Sequence, residues 1–235
     1  MNKSFRLLSV LCAGAFLVLT QVRAEETVFI SEDFSGGGPI IGHRAAGELE
    51  LSWNASDQFH MADGMLLQTS KGNKSAVLDL GLGFLSQSPG IYRMKTTVKW
   101  VKSDEKQFLS VGFADGANVE TNHNPPGSVW GGQPFLLIDG IGDAYLYAGR
   151  GRTEPVASLQ GIDFGSPLAL QLQIDTRGRK WAISAKIGQD SLVDSAGKSE
   201  FPMEPALKSR YVGITVSWGL PTTVAIDKTE LTFEE

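Results

Sequence analysis

Apolar side chains stand at every second position in segment after segment of this chain, and this period constrains the fold more than any other feature. In the segment 92–100 the even positions are mostly apolar, whereas the odd positions are polar or charged. Because neighbouring side chains of a β-strand point to opposite faces, the pattern predicts a strand with one buried and one solvated face. It places Trp100 in the core.

A hairpin is the clearest larger motif. Segments 168–174 and 181–187 alternate in the same way, and the polar stretch 175–179 joins them. Two alternating segments around a short turn predict a β-hairpin, with Trp181 on its buried side. Further strand candidates are 27–30, 48–53, 75–80, 107–114, 134–139, 143–148, 210–218 and 223–233.

The whole pattern favours one fold class. No segment of the sequence has a convincing helical period, and the 27 glycines among 235 residues are typical of many strands joined by tight turns. We therefore predict an all-β fold, an antiparallel two-sheet β-sandwich or jelly roll. Residues 25–235 are long enough to bury one sizeable core, so we expect a single domain.

The first 24 residues have the pattern of a signal peptide. Lys3 and Arg6 precede an apolar run at 7–19, and Ala24 supplies the small side chain that a signal peptidase accepts. The run is shorter than the roughly 20 residues of a membrane-spanning helix, although an uncleaved anchor is the alternative. We expect cleavage after Ala24 and a secreted or periplasmic mature protein.

Cleavage would change the thiol content and the charge of the chain. Cys12 is the only cysteine, so the mature domain could form no disulfide and would depend on its core. The signal holds three basic residues and no acid, so its removal moves the net charge from −5 to −8. Such a surface repels phosphate backbones and anionic lipid headgroups. This charge argues against nucleic acid as a partner and against membrane insertion after signal cleavage.

Five segments suggest a family. They are 29–36 (FISEDFSG), 63–66 (DGML), 111–113 (VGF), 211–214 (YVGI) and 224–231 (VAIDKTEL). In the order of its strand candidates and in the sequence of these segments, the chain resembles bacterial concanavalin A-like lectin/glucanase domains. The resemblance implies a concanavalin A-like sandwich in which the first and last strands are neighbours in one sheet. It leaves binding and catalysis open, because that superfamily includes lectins, carbohydrate-binding modules, glycosidases and polysaccharide lyases.

A long segment without strand character carries the predicted ligand site. Residues 116–133 lie between two strand candidates, and loops of this length are usually functional or disordered. Trp130 could stack on the apolar face of a sugar, while Asn122, Asn124 and Gln133 could hydrogen-bond its hydroxyls. The alternative is that Trp130 folds back as a plug under its own loop.

A glycosidase would need two carboxylates that face a groove, and Glu48 and Glu50 are the candidates. Two apart on a strand, they would project from one face about 6 to 7 Å apart. The alternative is that both are solvated on a wet strand face. The superfamily's glucanases carry a further acid in the same strand, which is missing here.

A polysaccharide lyase would need a Tyr or His base close to a group that neutralises charge. The residues that could fill these roles are Tyr145, Tyr147, His123, Arg150 and Arg152. No spacing ties them together.

The resemblance also implies a structural calcium ion near the paired terminal strands, since related sandwiches often hold one there. Glu32, Asp33 and Asp227 offer the hard oxygen ligands that calcium prefers. The alternative is that these acids simply face water. No other cofactor is expected, because the three histidines are too scattered for a transition-metal site.

These observations predict a secreted, lectin-like β-sandwich that binds a polysaccharide or glycoconjugate without catalysis. The second hypothesis is a polysaccharide hydrolase or lyase that uses Glu48 and Glu50 or the segment 145–152. The third is a structural or adhesive envelope protein without a small ligand. Carboxylates or a Tyr/Arg pair that converge in an open groove favour the second hypothesis, and an exposed aromatic platform without them favours the first. A filled concave face with no groove favours the third.

Overall fold

The computed structural model describes most of the predicted mature domain. The described residues are 26–69, 72–101, 107–117, 119–121, 133–149, 154–217 and 224–235. The predicted signal peptide and its cleavage site lie outside them.

Strands make up most of the regular structure. The described residues form eighteen β-strands: β1 (Glu26–Glu32), β2 (Gly38–Pro39), β3 (Asn54–Ala55), β4 (Phe59–Ala62), β5 (Met65–Gln68), β6 (Asn73–Asp79), β7 (Ile91–Trp100), β8 (Phe108–Ala114), β9 (Glu120–Thr121), β10 (Phe135–Asp139), β11 (Ala144–Tyr147), β12 (Ala157–Leu159), β13 (Leu168–Asp175), β14 (Trp181–Ile187), β15 (Asp190–Ser191), β16 (Phe201–Met203), β17 (Tyr211–Ser217) and β18 (Val224–Glu234). The one helix in these ranges is a 3₁₀ turn at Phe84–Ser86. No helix of the described chain is long and apolar enough to cross a membrane.

The strands form two antiparallel sheets, as the alternation predicts. The ten-stranded sheet has the order β15-β14-β13-β7-β18-β5-β4-β2, with β1 beside β18 and β16 beside β14. The eight-stranded sheet has the order β12-β11-β10-β8-β17-β6-β3, with β9 beside β6. The predicted two-sheet β-sandwich is therefore confirmed.

The first and last strands are neighbours, also as expected. β1 pairs antiparallel with β18, from Glu26 opposite Glu234 to Glu32 opposite Thr229. β18 also pairs with β7 along its whole length and with β5 near Ala225. The C-terminal strand thus holds three other strands together.

The core lies between the two sheets. The even positions of β7 face inward, and Trp100 at its end is 5% exposed. The predicted hairpin is present as β13 and β14, with Trp181 buried at 7% exposure. Both tryptophans belong to the main hydrophobic cluster, as their alternation predicts.

The strand predicted at 48–53 is wrong. Glu48 lies in an exposed turn, and Glu50 has a positive φ of 43°, which breaks the extended backbone that alternation requires. The segment keeps only an isolated bridge between Arg44 and Ser52. Glu48 and Glu50 therefore do not share one strand face.

Candidate functional site

The eight-stranded sheet has a side turned away from the core, which we call the outer face. On β10, Leu136 and Ile138 belong to the main core, whereas Phe135 packs with Val77 and Ala114 in a separate cluster. The alternation of β10 thus gives the sheet two apolar sides. The second cluster marks the outer face.

Two glycines lie side by side in the middle of the outer face. Gly112 of β8 is the register partner of Gly213 of β17, and Phe135 of β10 flanks Gly112 on its other side. A Cβ atom at Gly112 would lie 2.6 Å from the Cα of Phe135, and one at Gly213 would collide with the carbonyl oxygen of Ala76. The neighbouring strands therefore leave no room for a side chain at either position.

Polar side chains at the centre of the outer face are buried. The hydroxyls of Ser75 and Thr215 are 2.7 Å apart and hydrogen-bonded, and at most 2% of either residue or of Ser110 is exposed. Ala117 and Val119 pack against the adjacent apolar cluster. The described side chains at the centre of this face are therefore buried, and its accessible groups among the described residues lie nearer an edge.

Two half-buried tyrosines of β11 mark the accessible side of the outer face. In register, Tyr145 lies opposite Leu137 and Tyr147 lies opposite Phe135. The rings of Phe135 and Tyr147 stack with their centroids 4.5 Å apart and an interplanar angle of 11°. Packing therefore holds Tyr147 in place, and Tyr145 lies beside it on the same face.

A groove with a volume of about 670 Å³ opens beside Tyr145, and we call it the Tyr145 groove. Its lining includes Ser158 of β12, and Asp194 and Ser195 from the segment after β15. The backbones of Ser158 and Val193 exchange hydrogen bonds of 3.0 and 3.2 Å, which hold the two walls together. Ligand sites typically enclose about 300 to 1,000 Å³, so the groove is large enough for a small molecule or part of a chain.

The hydroxyl of Tyr145 is a hydrogen-bond donor. It donates to Oδ2 of Asp143 at 3.4 Å. Burial raises the pKa of Tyr145 above its ordinary value, and the negative charges of Asp139 and Asp143 raise it further. The phenol therefore stays protonated at neutral pH.

Asp139 closes the turn between β10 and β11. Its Oδ1 accepts hydrogen bonds from the backbone N–H groups of Ile141 and Asp143, at 3.2 and 2.9 Å. A carboxylate that accepts two backbone hydrogen bonds is held in place by its own chain. Asp139 thus fixes the turn from which Asp143 reaches Tyr145.

Of the predicted ligand-binding residues, only Gln133 is among the described residues. Gln133 is 2% exposed, and its Oε1 accepts a hydrogen bond of 2.7 Å from the hydroxyl of Ser209. Its side chain stabilises the interior and is not presented to a ligand, so its predicted role is corrected. Asn122, Asn124 and Trp130 lie outside the described residues, and their role stays a prediction.

The predicted acid pair does not line the Tyr145 groove. Glu50 forms an exposed ion pair with Arg44, with 2.8 Å between the carboxylate Oε2 and the guanidinium Nη2. Glu48 lies exposed in the preceding turn. Of the residues considered for a lyase, Tyr145 and Tyr147 share the outer face, whereas His123, Arg150 and Arg152 lie outside the described residues.

The three carboxylates predicted to bind calcium do not converge. The described residues contain no group of three or more His, Cys, Asp or Glu side chains arranged to hold a metal ion. Asp33 is exposed and accepts a hydrogen bond of 3.0 Å from the backbone N–H of Ser35, which lowers its pKa. Asp227 is exposed as well. The structure therefore does not bring the three side chains together, and the contacts of Glu32 explain why.

Glu32 points into the protein, where protein donors satisfy it. Its carboxylate accepts a hydrogen bond of 2.9 Å from the backbone N–H of Phe34 and one of 3.2 Å from the indole N–H of Trp53. Nε2 of His43 lies 3.3 Å from the same carboxylate. Only 4% of Glu32 is exposed, so it ties the loop after β1 to Trp53.

Sequence reasoning missed the groove but held one signal for it. Tyr145 and Tyr147 alternate with Ala144 and Leu146, so the pattern places both tyrosines on one face of a strand. The opposite wall comes from the distant segment 193–195, whose approach depends on long-range pairing. No local pattern indicates that approach.

Comparison with solved structures bears on the fold. The carbohydrate recognition domain of Emp47p matches at a TM-score of 0.55 and 17% identity, over 87% of this chain and 97% of that one. An endo-1,3-β-glucanase from Streptomyces sioyaensis matches at a TM-score of 0.59 and 12% identity, over 89% of this chain and 97% of the glucanase. A sialidase from Trypanosoma rangeli matches at a TM-score of 0.54 and 11% identity, over 87% of this chain but only 30% of the sialidase.

At these identities the similarities establish the fold alone. No protein-family model and no curated protein matches the sequence. The two antiparallel sheets, the pairing of the first and last strands and the structural matches agree with one another. The chain has the concanavalin A-like β-sandwich fold.

Proposed function

We propose that this protein binds a glycan in the Tyr145 groove and does not transform it. The observation that carries the proposal is a half-buried tyrosine on the accessible side of the outer face, beside a groove of about 670 Å³. The groove combines an aromatic ring with hydroxyl and carboxylate groups from Ser158, Asp194 and Ser195. This mixture suits a sugar.

The physical basis is the two-sided chemistry of a sugar ring. One side presents C–H groups that stack on an aromatic ring, and the rim presents hydroxyls that need hydrogen-bonding partners. Tyr145 can supply the ring. Ser158 and Ser195 supply hydroxyls that donate or accept, which matches the dual character of sugar hydroxyls.

The chemistry around Tyr145 favours binding over elimination. A lyase base must lose its proton, but burial and two nearby carboxylates raise the pKa of Tyr145. The O–H of this phenol is donated to Asp143, and its oxygen can still accept a hydrogen bond from a sugar hydroxyl. This state supports a binding role.

The structural matches agree with this class of ligand. The matching structures are named as a carbohydrate recognition domain, a glucanase and a sialidase. Glycans are the common element of these names, whereas catalysis is not. The choice of binding without catalysis rests on the groove itself.

The test combines a binding screen with a degradation assay. Residues 25–235 should be screened on a glycan array, and each polysaccharide that binds should be incubated with the protein and analysed for new reducing ends and for unsaturated products. We expect binding without either product. Tyr145→Ala should weaken binding by about 1 to 3 kcal/mol, as for a well-packed aromatic contact.

A matched control separates binding from folding. Leu82→Ala removes a side chain that is 71% exposed and does not line the groove, so it should change neither binding nor stability. A screen without any bound glycan, or equal binding by the Tyr145→Ala variant, would overturn the proposal.

A hydrolase is the second candidate, and one observation favours it. The turn between β10 and β11 carries two carboxylates, since Asp143 accepts a hydrogen bond from the hydroxyl of Tyr145 and Asp139 accepts one from the backbone N–H of Asp143. Glycosidases of most families use such a pair. New reducing ends from the wild-type protein that disappear in Asp143→Asn would establish this activity in place of simple binding.

Export is a separate proposal that follows from the predicted signal peptide. N-terminal sequencing of the protein recovered from the periplasm or the medium should find Glu25 first. An intact Met1 on membrane-bound protein would show an uncleaved anchor.

A further inference from the structure

A second cavity adjoins the Tyr145 groove. Its volume is about 460 Å³, and it lies beyond the end of β12, against the turn between β14 and β15. Leu159 and Gln160 line both cavities. The two spaces are therefore neighbours that Gln160 borders, and the side chain of Gln160 is exposed.

The second cavity offers the same mixture of groups as the first. Its lining includes the apolar side chains of Ile162 and Pro167 and the exposed amide of Gln189. Amides both donate and accept hydrogen bonds, so Gln160 and Gln189 suit sugar hydroxyls. A ligand that leaves the Tyr145 groove past Gln160 would meet a second surface of this kind.

The described lining of the two cavities carries charge of one sign. Among the described residues that line them, Asp163, Asp190 and Asp194 are acidic and none is Lys or Arg. A uronic acid or sulfate group bound here would meet like charges and no cation from these residues. Such an arrangement disfavours acidic ligands and leaves neutral ones unaffected.

We propose that the two cavities together bind an internal stretch of a neutral polysaccharide chain. Tyr145 contacts one sugar unit, and Gln160 and Gln189 hydrogen-bond to units further along the chain. This inference rests on the proposed function, since it extends the Tyr145 groove. It adds the charge class and the length of the ligand.

The test measures affinity against chain length. The probes are β-1,3- and β-1,4-linked glucose oligomers of two to six units, with galacturonic acid oligomers of equal length as the acidic set. In calorimetric titrations of residues 25–235 we expect the affinity for one neutral series to rise by about tenfold or more from dimer to hexamer, because each added contact contributes to binding. The acidic series should bind at least as weakly as the neutral dimer.

Single substitutions test which residues provide the higher affinity of the longer oligomers. Gln160→Ala and Gln189→Ala change exposed side chains, so the fold should be kept, and each should reduce hexamer affinity while dimer affinity stays unchanged. Gln87→Ala is the matched control, since Gln87 is an exposed glutamine that lines neither cavity. Tyr145→Ala should weaken both lengths.

The outcomes are distinguishable. Neutral oligomers that bind with the same affinity at every length, or a hexamer affinity that both glutamine variants retain, would overturn the extended site while leaving the Tyr145 groove intact. Preferred binding of the galacturonic acid series, or no binding of either neutral series, would overturn the neutral-chain assignment. Unchanged affinity in Tyr145→Ala would overturn the proposed function itself.

Discussion

The indole N–H of Trp53 donates a hydrogen bond of 3.2 Å to the buried carboxylate of Glu32. Twenty-one positions separate the two residues in sequence, and the bond ties the end of β1 to the segment before β3. Because Glu32 also accepts from the backbone of Phe34, its carboxylate is a structural acceptor. This finding replaces the predicted calcium ligand with a contact that holds the fold.

Glu32→Ala should lower the free energy of unfolding by about 2 to 4 kcal/mol, because it removes hydrogen bonds to a charged group and leaves a buried donor without a partner. Urea denaturation at neutral pH measures the change. Asp33→Asn is the control, since Asp33 is exposed and the change should cost under about 0.5 kcal/mol. Equal stability of Glu32→Ala and the wild type would contradict the structural role.

Removal of residues 224–235 should abolish cooperative folding. These residues form β18, which pairs with β1, β5 and β7. Without β18 the three partner strands would expose unpaired edges and the core would lose Ile226 and Leu231. Far-UV circular dichroism during heating tests this, and a truncated protein that melts cooperatively at the wild-type temperature would refute it.

Gly112→Ala should destabilise the protein by about 1 to 3 kcal/mol or more, because overpacking forces backbone shifts. The added Cβ would lie 2.6 Å from the Cα of Phe135. Gly37→Ala is the matched control, since no atom lies within 4 Å of a Cβ at that position. If thermal melting shows the same small change for both variants, the close approach of β8 and β10 at Gly112 is not a constraint.

An ion network on the ten-stranded sheet predicts a dependence of stability on pH. The pKa of Glu26 is lowered, chiefly by the hydrogen bond from the hydroxyl of Thr232 and then by Lys95 and Arg93, while burial opposes the shift. Because the folded value lies below the unfolded value of about 4.3, this carboxylate stabilises the fold above that pH. The contribution is lost as the pH falls through the lowered pKa.

Glu26→Gln should therefore reduce the loss of stability between about pH 5 and pH 3. Urea denaturation at several pH values measures the slope. Glu48→Gln removes the same formal charge from an exposed turn and serves as the control. If the free energy of unfolding of Glu26→Gln falls more steeply with acid than that of the wild type, the pKa of Glu26 is not lowered by folding.

The alternation of side chains predicts the fold well where a strand has one face in the core. It predicts β7 and the β13–β14 hairpin together with their buried tryptophans. It fails at 48–53, because Leu49 and Leu51 pack against the core from an irregular segment whose backbone turns at Glu50. Alternating burial can thus arise without a strand.

The candidate site follows less directly from the sequence. Alternation places Tyr145 and Tyr147 on one strand face, but nothing local predicts that Val193 pairs with Ser158 and closes the groove. Likewise, no local pattern distinguishes the buried Gln133 from a loop amide that faces a ligand. Both features depend on contacts between residues far apart in sequence.

The most direct test of the glycan site is a chemical-shift map. Backbone amide shifts of ¹⁵N-labelled residues 25–235 should be recorded while the tightest-binding glycan from the screen is added. We expect the perturbed amides to cluster at 144–147, 156–160 and 193–195, and we expect Tyr145→Ala to suppress these shifts. Perturbations that cluster away from these segments, with Tyr145→Ala responding as the wild type does, would contradict this expectation.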